Sequence, residues 1–201
     1  MKTPKFPGPL CNPHIVCQHA WEAWHATDMR GAVIECGVAE GHTSAALNFT
    51  LRKAGAKVVQ LAADTFCGFP YTPEETKKFK AGDLAPANGA ELVAELRRLE
   101  IYVLRGKVEE TLPGIHDRVR FSFVFLDLDI ERPTHFCWDF FKDKILPGGR
   151  IGFHDYREEP GHSLHGIERV VKAGPAKDKR FREVHRTPKG RDAKFIFFER
   201  V

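Results

Sequence analysis

The chain has 201 residues, 42% of them hydrophobic and 29% charged, the balance of one ordinary globular domain. A domain of this size buries about 70% of its unfolded surface. No apolar run approaches the roughly 18–20 residues of a bilayer-spanning helix, which excludes such a helix, and no membrane partner is expected. The opening Met1-Lys2-Thr3-Pro4-Lys5-Phe6-Pro7 lacks the apolar core of a secretory signal, so a cytoplasmic protein is expected.

The formal net charge is +4, unevenly spread: residues 172–194 hold nine Lys/Arg and three Asp/Glu, a local +6 against −2 elsewhere. That stretch has no stacking aromatic pattern and no recognised nucleic-acid motif, so a solvated basic face is favoured over a surface for phosphate or lipid. Cys11, Cys17, Cys36, Cys67 and Cys137 form an odd, scattered set, which fits a reducing compartment rather than a disulfide framework. The local group Cys11, His14, Cys17 and His19 does not have zinc-site spacing, and helical periodicity begins inside it.

In chain order, Pro4, Pro7, Pro9 and Pro13 mark an extended arm, and residues 15–26 form a covering helix. Together they make an N-terminal unit, 1–29, ahead of a single main domain, 30–201. Ala32-Val33-Ile34-Glu35-Cys36-Gly37 is a short apolar strand that stops at glycine. Residues 43–54 follow as a helix with Thr43 or Ser44 near its cap. Residues 57–63 are a second strand, ending at Asp64. A loop with Pro70 and Pro73 contains a short charged helix near 74–80. Residues 89–99 place Leu92, Val93, Leu96 and Leu99 at helical spacing, and 101–104 make a third strand.

Phe121-Ser122-Phe123-Val124-Phe125-Leu126 runs straight into Asp127, with the continuous apolar character of a strand covered on both faces. A helix over 134–144 is broken by Pro147-Gly148-Gly149, and 150–153 form a fifth strand before His154-Asp155-Tyr156. A helix spans 166–171. Residues 181–186 and 194–199, joined by a turn at Pro188-Lys189-Gly190, read as a hairpin. Alternating strands and helices predict an α/β fold with a mainly parallel sheet. Ligands of such sheets sit beyond the carboxyl ends of the strands, where strand order reverses. Those ends carry Glu35-Cys36-Gly37, Asp64, Gly106, Asp127 and His154-Asp155.

Gly37 and Gly41 let backbone approach a ligand, and the helix after them offers free N–H groups. Their spacing is G-x3-G, not the G-x-G-x-x-G of dinucleotide binders, and strand-end acids repel phosphates; both disfavour a Rossmann-type oxidoreductase. Asp64, at the end of the next strand, stands where an acid takes the hydroxyls of a ribose.

Five ordered stretches over about residues 30–170 carry a family resemblance. They are Glu35-Cys36-Gly37-Val38-x-x-Gly41, Asp64-Thr65-Phe66-Cys67-Gly68-Phe69-Pro70, and Gly106-Lys107-Val108-Glu109-Glu110-Thr111-Leu112-Pro113. Asp127-Leu128-Asp129-Ile130-Glu131-Arg132-Pro133-Thr134 is the fourth, and Pro147-Gly148-Gly149 with His154-Asp155-Tyr156 completes the set. They resemble class I S-adenosylmethionine-dependent methyltransferases, most closely the macrocin O-methyltransferase-like group. The chain departs from that pattern at Cys67, which replaces an acid, and at Leu128. Glu131-Arg132 replace Tyr-Glu, and His154 replaces Asp.

The resemblance implies a Rossmann-like, seven-stranded sheet with an antiparallel last strand and helices on both faces. It implies S-adenosylmethionine held by Glu35, Gly37, Val38, Gly41, Asp64, Thr65, Phe66, Gly106, Val108, Glu109 and Asp127. It also implies a divalent cation, Mg²⁺ or Mn²⁺, on Asp127, His154 and Asp155, the same three residues being catalytic. The histidine suits Mn²⁺ or Fe²⁺ better than Mg²⁺, and the alternative makes His154 the catalytic base without metal. The expected activity is methyl transfer to a hydroxyl of a sugar, natural product or related metabolite. The rival is an anionic or nucleic-acid substrate bound by the basic 172–194 stretch. A homodimer is an open alternative.

Overall fold

The structure is a computed structural model and describes residues 13–28, 30–74, 79–156, 166–188 and 194–201. The arm before Pro13, most of the charged helix expected near 74–80, and the hairpin turn at Lys189-Gly190 lie outside those residues.

Helix α1 (Pro13–Ala26) leads into strand β1 (Ala32–Cys36), helix α2 (His42–Lys53) and strand β2 (Gln60–Asp64). Helix α3 (Gly89–Arg98) and strand β3 (Tyr102–Arg105) follow, then the single turn α4 (Val108–Thr111). Strand β4 (Phe121–Leu126), helix α5 (Glu131–Phe141) and strand β5 (Ile145–Phe153) come next. The chain ends in helix α6 (Ile167–Ala173) and the pair β6 (Phe181–Arg186) and β7 (Ile196–Arg200).

All seven strands join one sheet in the order β3-β2-β1-β4-β5-β7-β6. The first five pair in parallel, and β7 runs antiparallel to both β5 and β6. Strand order reverses between β1 and β4, so the loops after these two strands diverge and open a cleft.

Side-chain alternation assigns the helices to two layers. Ile34, Cys36, Val124 and Leu126 face one core with Cys137, Trp138 and Phe141 of α5 and Val170 and Val171 of α6. Val33, Phe123, Phe125 and Phe197 face the other, against Val16, Ala20 and Trp24 of α1 and Leu47 and Leu51 of α2. The N-terminal helix is therefore part of this layer, built into the same core as the sheet. Phe197 lies directly across from Gly152, where any Cβ would stand 2.2 Å from its ring. The glycine thus makes room for an aromatic layer that includes Phe123, Phe125 and Phe195.

Two local departures have physical causes. Pro147-Gly148-Gly149 interrupts the ladder but not the strand: between the pairs Phe121↔Ile145 and Phe123↔Arg150, β4 advances two residues while β5 advances five. The glycines seat this bulge, since a Cβ on Gly148 would press to 2.8 Å on the Ala26 carbonyl. The turn α4 was not anticipated, because four residues are too few to show a helical period.

Candidate active site

The end of β1 is shaped by Gly37, whose φ is +88°. A Cβ there would come within 1.9 Å of the Asp127 carbonyl oxygen, so the glycine gives space to the β4 end rather than to a ligand. The Asp127 amide donates to the Cys36 carbonyl at 2.8 Å, which fixes the two strand ends together. Gly41, at φ +81°, turns the chain into α2.

Asp64 stitches this turn to β2. Its Oδ2 accepts from the Val38 amide at 2.6 Å and the Ala39 amide at 3.2 Å. Its Oδ1 accepts from the Phe66 amide at 2.6 Å. The carboxylate is thus aimed by backbone donors and remains on the cleft wall. Gly106, whose amide donates to the Asp64 carbonyl, places the next wall segment beside it.

The cleft is open to solvent at the carboxyl ends of β1, β2, β3 and β4. Of the residues expected at a donor site, Gly37, Asp64, Thr65, Gly106, Val108, Glu109 and Asp127 line it. Glu35, Val38, Gly41 and Phe66 stand behind it. Val38 and Phe66 pack with Leu92, Val93 and Leu96, and Glu35 is buried at 2% exposure. Burial pushes the Glu35 carboxyl well above its ordinary range, with Asp127 and Asp64 adding to the rise and the Ser44 hydroxyl hydrogen bond opposing it.

At the ends of β4 and β5, Asp127, His154 and Asp155 converge, each with one ligand atom within 4.8 Å of the others. Nδ1 of His154 lies 2.8 Å from Asp127 Oδ1 and 3.3 Å from Asp155 Oδ2. It is buried, yet neither oxygen is in hydrogen-bonding geometry with it. Burial lowers the imidazole pKa, but the Asp127 and Asp155 carboxylates outweigh burial and raise it to about 12. Two carboxylate oxygens and one imidazole nitrogen brought together are a donor set that a Mn²⁺ or Fe²⁺ ion tolerates, and a protonated ring meets the same two carboxylates in its place.

Asp129 was not anticipated as part of this site. It lines the cleft beside Asp127, and burial, with Asp127 and Asp155 adding, pushes its carboxyl well above the ordinary range. Its φ of +61° and that of Asp155, +54°, are left-handed, as are those of Ala39 and Phe66. Such strained non-glycine residues gather at sites where the backbone must aim a group. The D-x-D spacing was visible, but its meaning depends on this backbone and on Asp155 across the sheet.

No family model matches the chain, and no curated protein sequence matches it. Solved structures do. The O-methyltransferase NovP superposes with a TM-score of 0.71 at 18% identity, covering 94% of this chain and 78% of NovP. The calicheamicin methyltransferase CalS11 gives 0.68 at 19% identity, covering 90% of this chain and 77% of CalS11. An rRNA methylase from Streptococcus thermophilus gives 0.60 at 15% identity, covering 96% of this chain and 99% of that one. The chain has the Rossmann-like fold of class I S-adenosylmethionine-dependent methyltransferases. At these identities the likeness speaks for the fold, and substrate must be argued from the site.

Proposed function

We propose that this chain transfers the methyl group of S-adenosylmethionine to a hydroxyl of a small molecule. The convergence of Asp127, His154 and Asp155 beside a cleft walled by Gly37, Asp64 and Gly106 carries this reading. The methyl group is already electrophilic on its sulfonium, so the protein's tasks are alignment and removal of the hydroxyl proton. Asp64, fixed by three backbone amides, presents its carboxylate to the donor's ribose. The S–CH₃ bond breaks as the O–CH₃ bond forms, and the hydroxyl proton passes into the carboxylate group of Asp127, Asp129 and Asp155. A divalent cation held by Asp127, His154 and Asp155 would lower the proton affinity of the hydroxyl.

His154 as sole base in a metal-free site is the less favoured account, because there the Asp127 and Asp155 carboxylates raise its pKa to about 12, whereas a bound cation would take the place of that proton. A nucleic-acid substrate on the basic C-terminal surface is also disfavoured. There Arg180 pairs with Asp178 and Asp143, Arg182 with Glu199, and Arg186 with Glu183, so three of its arginines are engaged within the chain.

Manganese titration followed by electron paramagnetic resonance tests the site without needing an acceptor. One Mn²⁺ per chain is expected in the wild type, with binding weakened about tenfold or more in Asp155→Asn. Equal binding by both proteins would remove the cation from the account.

A further inference from the structure

We propose that Arg132, held against the ring of Tyr71 at the mouth of the cleft, anchors a phosphate ester carried by the methyl acceptor. This rests on the methyl-transfer reading above and adds a substrate class to it.

The loop that carries Asp127 and Asp129 runs directly into α5, and the first turn of that helix carries Arg132. The guanidinium lies 5.8 Å from the Tyr71 ring centroid, within cation–π range. Tyr71 lines both the main cleft and an adjoining groove, and Arg132 lines that groove with it. The pair therefore sits where a molecule reaching into the cleft would trail its outer end.

The carboxylates that share the groove with Arg132 are paired elsewhere or turned to solvent. Glu131, its neighbour in sequence, is turned to Arg169, whose Nε and Nη2 both donate to its Oε2. His135 faces Asp139 at 3.2 Å. Arg132 makes no ion pair with any carboxylate among the described residues, and the remaining acid of the groove, Glu74, is exposed. A planar fork held on an aromatic face, with its donors free of carboxylate partners, matches the several oxygens of a phosphate.

The test is calorimetry on protein saturated with S-adenosylhomocysteine. The probes are hexose 1-phosphates and nucleoside-diphosphate hexoses, each compared with its free hexose and with inorganic pyrophosphate. At least one phosphorylated probe should bind about tenfold or more tighter than its free hexose, and more tightly than pyrophosphate. Arg132→Gln should erase most of that advantage, Arg132→Lys should restore part of it, and S-adenosylhomocysteine affinity should stay the same in both. No preference for phosphorylated probes, an unchanged preference in Arg132→Gln, or pyrophosphate binding as tightly as any ester would overturn the proposal. Failure of S-adenosylhomocysteine to bind the wild type would strike the methyl-transfer reading itself, a separately visible result.

Discussion

Gly37 shows how one residue can be legible in sequence while its reason is not. The G-x3-G turn suggests space for a ligand, yet the space is taken by the Asp127 carbonyl of the neighbouring strand. Gly37→Ala must relieve both a 1.9 Å clash and a φ of +88°. It is expected to cost about 3 kcal/mol or more, read as a lower midpoint in urea. A midpoint equal to wild type would contradict the close approach. Asp64 has a similar double duty. Because its carboxylate accepts from three backbone amides, Asp64→Ala should lower stability by about 1–3 kcal/mol as well as weaken donor binding. A variant that loses donor affinity with unchanged melting would show that the amides do not depend on it. Asp129 was missed for the converse reason: its burial and proximity to Asp155 arise from left-handed backbone and from pairing across the sheet, which spacing alone cannot carry.

Among the elements, the buried strands were the most readable. Phe121–Leu126 is buried at every position, and its bounds coincide with the apolar run. Edges were harder: β3 exposes Tyr102 and Arg105, and its window shifts by one residue from the expected strand. Helix α1 is held on the sheet partly by polar groups that sequence could not pair. His19 stacks on Phe197 at 4.0 Å, and its Nδ1 lies 2.8 Å from an Arg150 nitrogen, while Arg150 also binds Glu22 and Glu199. Burial first, then Arg150 and His185, lowers the His19 pKa from 6.5 to about 4, against the opposing pull of Glu22. A depressed histidine pKa favours the fold only while the ring is neutral. Its contribution is therefore complete above about pH 6.5 and is lost as pH falls toward 4. Allowing for solvent screening at the edge of the cluster, the loss is about 2 kcal/mol, and urea unfolding at stepped pH should show His19→Phe with a flatter profile than wild type. Parallel profiles would contradict this assignment.

At the scale of the whole molecule, topology turns separate sequence signals into one site. Glu35-Cys36-Gly37, Asp64, Asp127 and His154-Asp155 lie on four strands, and the order β2-β1-β4-β5 sets those strands side by side with their carboxyl ends together. Alternation of strands and helices was enough to anticipate a mainly parallel sheet, while its seven strands and antiparallel end followed from the family resemblance. The aromatic layer between sheet and α1 supports it from behind. Phe125, fully buried there, should cost about 3–5 kcal/mol when cut to alanine, measured by urea unfolding. A much smaller loss would mean that the layer is less closely packed than described.

The central claim, a methyl donor seated against Asp64 with the acid–histidine–acid group reserved for the acceptor, is tested most directly by calorimetric titration with S-adenosylhomocysteine. One site per chain is predicted in the wild type, with binding about tenfold or more weaker in Asp64→Ala and essentially unchanged in Asp155→Asn. No binding to the wild type, or an equal loss in both variants, would contradict it.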